Sequence, residues 1–150
     1  MKRDHIRLIL LYPVVTVFLI ACGVSGLFND GEGNHQAELE GITWFLEAMG
    51  PLGNPKPAAD DKLVTMIFDF SEGHVSGNGG CNSYSADFDI NGSKISIGLA
   101  MSTLMACFPE EIMEQETAFH QMLAKVERYG VESGKLSIYT SDGQVLVFSP

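Results

Sequence analysis

Three cysteines, at positions 22, 81 and 107, are the side chains of this chain with the widest chemistry open to them. A thiol can be acylated or oxidised to a disulfide, and as a thiolate it can ligate a metal or attack an electrophile. Attack needs a base, and His74 or His120 could supply one to Cys107. No sequence signature of a cysteine enzyme surrounds Cys107, however. Metal binding needs clustered ligands. His35, His74 and His120 stand far apart, and no Cys-x-x-Cys or His-x-x-x-His spacing occurs. Paired carboxylates for glycoside hydrolysis are conceivable in so acidic a chain. Asp87 and Asp89, though, alternate with apolar neighbours and should face solvent, and Asp60-Asp61 sit in a loop. The glycines at 77, 79 and 80 lack the Lys-Ser/Thr ending of a phosphate loop. The reading is therefore of a protein that is not an enzyme, with no cofactor and no metal site. An enzyme using Cys107 is the least favoured alternative.

The first cysteine is explained by what precedes it. Lys2, Arg3 and Arg7 make a basic start, and Leu8 to Ala21 is an almost unbroken apolar run. A permanent transmembrane helix needs about 20 apolar residues, so this run is short. A basic start, a short apolar middle and a small residue before the cut mark a secretory signal peptide over residues 1–21. Leu19-Ile20-Ala21-Cys22 resembles the bacterial lipoprotein signal, which would make Cys22 the lipidated first mature residue. An ordinary signal peptide, or an uncleaved anchor with a chance cysteine, is the alternative. Gly23 resembles the default signal for outer-membrane placement in diderm bacteria. The expected location is the cell envelope, extracytoplasmic and lipid-anchored.

Cysteine arithmetic then leaves Cys81 and Cys107 as an even pair in an exported chain, which favours a disulfide. Two separate buried thiols are the alternative. Charge narrows the partners. The chain has 9 basic and 19 acidic residues. Without Lys2, Arg3, Arg7 and Asp4 it keeps 6 and 18, a net charge of −12. That sign argues against nucleic acid, whose phosphates need clustered Lys and Arg, and against electrostatic adhesion to anionic lipid.

These residues must be positioned by the rest of the chain. Residues 22–41 are rich in Gly and polar residues and read as a flexible tether. The domain is expected over 42–150, opening with a strand at Thr43-Trp44-Phe45-Leu46. Residues 50–62, with three prolines and two glycines, read as a loop. Val64, Met66, Phe68 and Phe70 line one face of a strand, and Tyr84, Ala86, Phe88 and Ile90 line one face of another. Asn91-Gly92 signals a type I′ hairpin, and Asp142-Gly143 a second hairpin. Pro109 to Arg128 reads as a helix, with Ile112, Phe119, Met122, Leu123 and Val126 on its apolar face and Gly130 past its end. His120 is placed on the exposed side. Met101, Met105, Met113 and Met122 read as core filler. The sum is an α+β domain: a strongly curved, barrel-like, mostly antiparallel sheet of about seven or eight strands with one helix.

Two segments carry a family resemblance: Ser76-Gly77-Asn78-Gly79-Gly80-Cys81-Asn82-Ser83-Tyr84 and Ser102-Thr103-Leu104-Met105-Ala106-Cys107. With Trp44 ahead of them and Glu116, Phe119 and Leu123 behind, the chain resembles the META domain family, to which HslJ-like lipoproteins belong. The resemblance covers residues 42–148. It implies a β-rich fold with one helix, often on an envelope lipoprotein, and a link to stress tolerance, without an agreed reaction or cofactor. The motif positions it marks are Gly80, Cys81, Asn82, Tyr84, Thr103, Met105, Ala106 and Cys107. Family members often carry Arg or Lys where this chain has Leu104, so an anion-binding role there does not transfer. The functional expectation is a lipid-anchored, non-catalytic protein that binds an envelope protein or component under stress. A small-ligand carrier or sensor, using a pocket inside the barrel, is the alternative.

Overall fold

Strands that alternate apolar and polar residues have one face to hide. A sheet that curls until its outer strands pair hides that face and leaves no open edge. The computed structural model describes residues 35–59 and 64–150, and the sheet in it closes in this way. Its strands are β1 (Trp44–Pro51), β2 (Lys56–Pro57), β3 (Thr65–Asp69), β4 (His74–Asn78), β5 (Ser83–Asn91), β6 (Lys94–Ile97), β7 (Met101–Ser102), β8 (Val126–Glu132), β9 (Lys135–Thr140) and β10 (Gln144–Ser149). Helix α1 spans His35–Leu39 and α2 spans Glu110–Leu123. The ring runs β10-β9-β8-β6-β5-β4-β3-β1, and β10 pairs with β1 to close it. This is an eight-stranded antiparallel barrel, as the strand spacing leads one to expect. The short β2 and β7 lie beside β1 and β5.

Eight strands enclose a space that side chains can fill. Trp44, Leu46, Met66, Phe68, Leu136, Ile138, Leu146 and Phe148 are buried in one cluster, with Tyr84 and Ile95. Phe119, Met122 and Leu123 of α2 join it. The helix lies over the barrel end where the β4–β5 connection, the end of β2 and the start of the β6–α2 segment come together. Cys81, Ala59 and Asn82 all meet it there.

Several sequence expectations need correction. The helix ends at Leu123 rather than Arg128. Residues 126–132 instead form β8, in register with β9 from Val126↔Thr140 to Glu132↔Lys135. Closing the barrel requires that strand, and the pairing outweighs the weak local helix preference of Lys125 to Arg128. Gly130 is thus a mid-strand residue. Lys125, just past the helix, donates to Asp142 in the β9–β10 turn at 2.7 Å. Residues 50–62 are not all loop, since β1 runs to Pro51 and Lys56–Pro57 pair back onto Met49 and Ala48. Asn91 pairs with Lys94, so Gly92-Ser93 is the centre of that hairpin. Only Gly92 has a positive φ, at 58°, the pattern of a type II′ rather than a type I′ turn. The I′ signature falls at Ser133-Gly134, where both φ values are positive. Helix α1 lies ahead of residue 42, and its Leu39 is fully buried.

Gly77 shows how tightly β4 is set against β3. A Cβ there would land on the Thr65 carbonyl, while the next residue, Asn78, donates its N–H to Thr65 Oγ1 at 3.0 Å. Gly77→Ala should cost about 2 kcal/mol by forcing the strands apart. A urea titration would read this as a lower midpoint at unchanged slope. An unshifted midpoint would mean the strand yields without strain.

Candidate functional site

The motif residues converge on one side chain, Glu116. On α2 the residues Ile112, Glu116, Phe119 and Leu123 follow the three- and four-residue spacing of a single face. Glu116 is therefore carried into the barrel end, where it is buried. A buried carboxylate must be met by donors. Its Oε2 accepts from the backbone N–H of Cys81 (2.8 Å) and of Asn82 (2.6 Å). Its Oε1 accepts from Asn82 Nδ2 at 2.7 Å. Burial opposes its ionisation. The Asn82 amide, the two N–H groups and nearby His120 outweigh that, and its carboxyl is held below the usual range.

Asn82 passes the grip on. Its Nδ2 also donates to the Met105 carbonyl at 3.2 Å, and its Oδ1 accepts from Thr103 Oγ1 (2.8 Å) and the Met105 N–H (2.7 Å). Both amide hydrogens and both acceptor directions of the carbonyl are thus used. Asn82 also accepts, at its backbone carbonyl, from Gly79 N–H at 2.7 Å. Cys81 and Cys107 form a disulfide with Cα atoms 5.8 Å apart. Helix, β4–β5 connection and the 103–107 segment are therefore locked at one node. Tyr84 packs its ring on Phe119 and donates its hydroxyl to the Thr65 carbonyl at 3.0 Å.

The glycines in the motif make room for this node. Gly80 has a φ of 130°, which side chains disfavour. A Cβ on Gly79 would come within 3.0 Å of Glu116 Oε2 and 3.1 Å of His120 Nε2. His120 is a further correction: it is half-buried, with its ring against Tyr84 and Phe119. Its Nε2 is buried, with no hydrogen-bond partner among the described residues. Burial lowers its pKa, partly offset by the charge of Glu116.

What the node holds outward is apolar. Between Lys94 and Glu110 no residue is charged. Leu99, Leu104 and Phe108 are 92%, 98% and 90% exposed, and Met101 and Met105 are 75% and 56% exposed. The reading of Met101 and Met105 as core filler fails, whereas Met122 is buried as expected. Ala106 is exposed and Cys107 half-buried. Leu104 stands in solvent.

The other candidates remain apart. His74 and Asp87 pair across exposed strands at 2.8 Å. No group of three His, Cys, Asp or Glu side chains among the described residues could hold a metal ion. Cys22 lies outside the described residues, as does the side chain of His35. No helix among the described residues is long and apolar enough to cross a membrane. Outside the barrel, a groove of about 440 Å³ runs between α2 and β1–β2, lined by Met49, Lys56, Gln115, Ala118, Met122 and Lys125 among others.

The sequence pointed to Glu116 as part of the family pattern but not to its role as acceptor. The signal was present: a glutamate on the apolar stripe between Ile112 and Phe119 has to find donors.

The model of the META domain family matches residues 37–150. A solved protein structure from Burkholderia xenovorans is similar, with a TM-score of 0.64 at 27% identity over 77% of this chain and 86% of its own. A DUF4847 family protein from Bacteroides vulgatus shares the fold, with a TM-score of 0.58 at 12% identity over 77% of this chain and 96% of its own. No curated protein sequence matches the chain.

Proposed function

The chain belongs to the META domain family, and from that premise we propose that it is a lipid-anchored, non-catalytic binding protein of the cell envelope, acting outside the cytoplasm under stress. One observation carries the reading. The side chains of Asn82 and Glu116 are spent on internal bonds, His120 Nε2 beside them is buried rather than open to solvent, and what the node presents outward is an uncharged, apolar segment. A catalytic centre keeps a nucleophile, base or acceptor free for substrate. Here the sulfur of Cys107 is bonded to that of Cys81, and Glu116 is engaged by three donors. The leader pattern over residues 1–21, directly ahead of Cys22, supports the anchor.

Two measurements test this. The intact mass of detergent-extracted protein should show residues 1–21 removed and acyl chains added. Thiol alkylation should add two groups only after reduction. Cross-linking in intact cells should return a recurring envelope component, and a consistently empty result would defeat the binding role. The carrier alternative moves outside the barrel, because the interior is packed with side chains. Its place is the groove beside α2, and native mass spectrometry of freshly purified protein would show the bound molecule if it held one.

A further inference from the structure

We propose that the segment between β6 and α2 inserts its apolar side chains into the surface of a lipid bilayer. The inference rests on the anchored reading above and names the envelope component as the membrane itself. Three observations carry it together.

The first is exposure that cannot be relieved by local collapse. Large apolar side chains in solvent ordinarily fold back over the core. In this segment Met105 is held at both its N–H and its carbonyl by Asn82. Thr103 is held by Asn82 and by the Ser83 carbonyl, and Cys107 by the disulfide. The backbone from Thr103 to Cys107 is pinned from inside and Met101 is paired with Ser85 of β5, so Met101, Leu104 and Phe108 stay outward.

The second is composition. Ile95 to Pro109 carries no charge, and the segment lacks Arg, Tyr and Trp, the residues most enriched at protein hot spots. Leu, Met and Phe displayed on a loop need no shaped receptor. Leu and Phe partition favourably into hydrocarbon, and a bilayer adapts to their outline. Glu110 and Glu111 are exposed at the start of α2 and set the depth, since a carboxylate resists entering the hydrocarbon. They also make a neutral, zwitterionic surface the better fit than an anionic one.

The third is reach. Residues 23–34 are all that separate Cys22 from His35. Thirteen residue steps span at most roughly 45 Å when fully extended. A chain lipidated at Cys22 cannot carry the domain far from the bilayer. Tethering raises the local concentration of the surface enough for a weak insertion to persist.

The test uses the full-length, membrane-extracted chain carrying Phe108→Trp, reconstituted into phosphatidylcholine vesicles with brominated acyl chains. Trp44 is buried in the core and serves as the unquenched reference in the parent protein. The tryptophan introduced at the loop should emit further to the blue and lose intensity to bromine, and Leu104→Asp in the same chain should abolish both changes. A chain that floats with the vesicles but is not quenched overturns the insertion and leaves the anchor standing. A chain that fails to float yet is quenched at high lipid concentration removes the anchor and keeps the insertion. A chain that does neither overturns both. Quenching that survives Leu104→Asp also counts against the proposed segment.

Discussion

Glu116→Ala is expected to lower the stability of the domain by about 3–5 kcal/mol, because it strands three donors rather than removing one bond. The N–H groups of Cys81 and Asn82 and the Asn82 amide all converge on this carboxylate within 2.8 Å. Each buried donor left without an acceptor costs about 1–3 kcal/mol, more when the bond was to a charge. The helix also loses the Cγ methylene that lies beside Gly79. In a domain of this size the melting temperature should fall by roughly 10–20 °C. Thermal unfolding followed by circular dichroism, without reductant, measures it. A fall of only a degree or two would mean that water replaces the carboxylate and that the node is not what fixes the loop.

The same carboxylate predicts a pH signature. Its folded pKa lies below the ordinary value. Its contribution is therefore complete above the unfolded pKa of about 4.3 and is lost as pH falls through the folded one. Glu116→Gln keeps the shape but never titrates. The gap in stability between parent and variant should be constant above about pH 7 and shrink as pH falls below the ordinary glutamate range. His120, whose pKa burial also lowers, erodes stability from nearer pH 6.5 downward. The charge of Glu116 partly offsets that lowering, so the Gln variant loses the offset and the gap first widens below about pH 6.5 before it shrinks at the acid end. A gap unchanged at the acid end would show that Glu116 has the same pKa folded and unfolded, and a gap that widens there would show that it is protonated in the folded protein.

Why was the barrel legible while the node was not? Alternation over Val64 to Phe70 and Tyr84 to Ile90 is a local pattern, and local patterns survive reading one residue at a time. The strand β8 was hidden because Lys125 to Arg128 continues the helical spacing, and only the pairing with β9 across a I′ turn at Ser133-Gly134 says otherwise. Met101 and Met105 misled for a related reason. Apolar type predicts burial only where the fold supplies a place, and the segment ahead of α2 is held outward by Asn82. The disulfide partner was readable from counting cysteines. The occupancy of every hydrogen-bonding position on the Asn82 side chain was not, because its partners lie 21 to 34 residues away.

The disulfide and Glu116 should prove interdependent, and this can be measured. Replacing Cys81 and Cys107 together by alanine opens a link across 26 positions, worth roughly 3–3.5 kcal/mol in the chain-entropy model. That figure treats the bond as a constraint on the unfolded chain alone. The folded node adds a second effect. With the disulfide in place, the stranded N–H groups of a Glu116→Ala protein stay clamped beneath the loop and cannot reach water. Without it, the Asn82 side chain and the Thr103 N–H to Ser83 carbonyl bond are what hold the 103–107 segment, and the loop can lift to let water in. The three changes made together should therefore cost less than the sum of the disulfide loss and the Glu116 loss, by more than the roughly 0.3–0.5 kcal/mol within which independent sites add. Denaturant unfolding of the four proteins in such a cycle would decide it. Simple additivity would mean that the disulfide and the carboxylate secure the loop separately, and that the 103–107 segment stays closed when either one is gone.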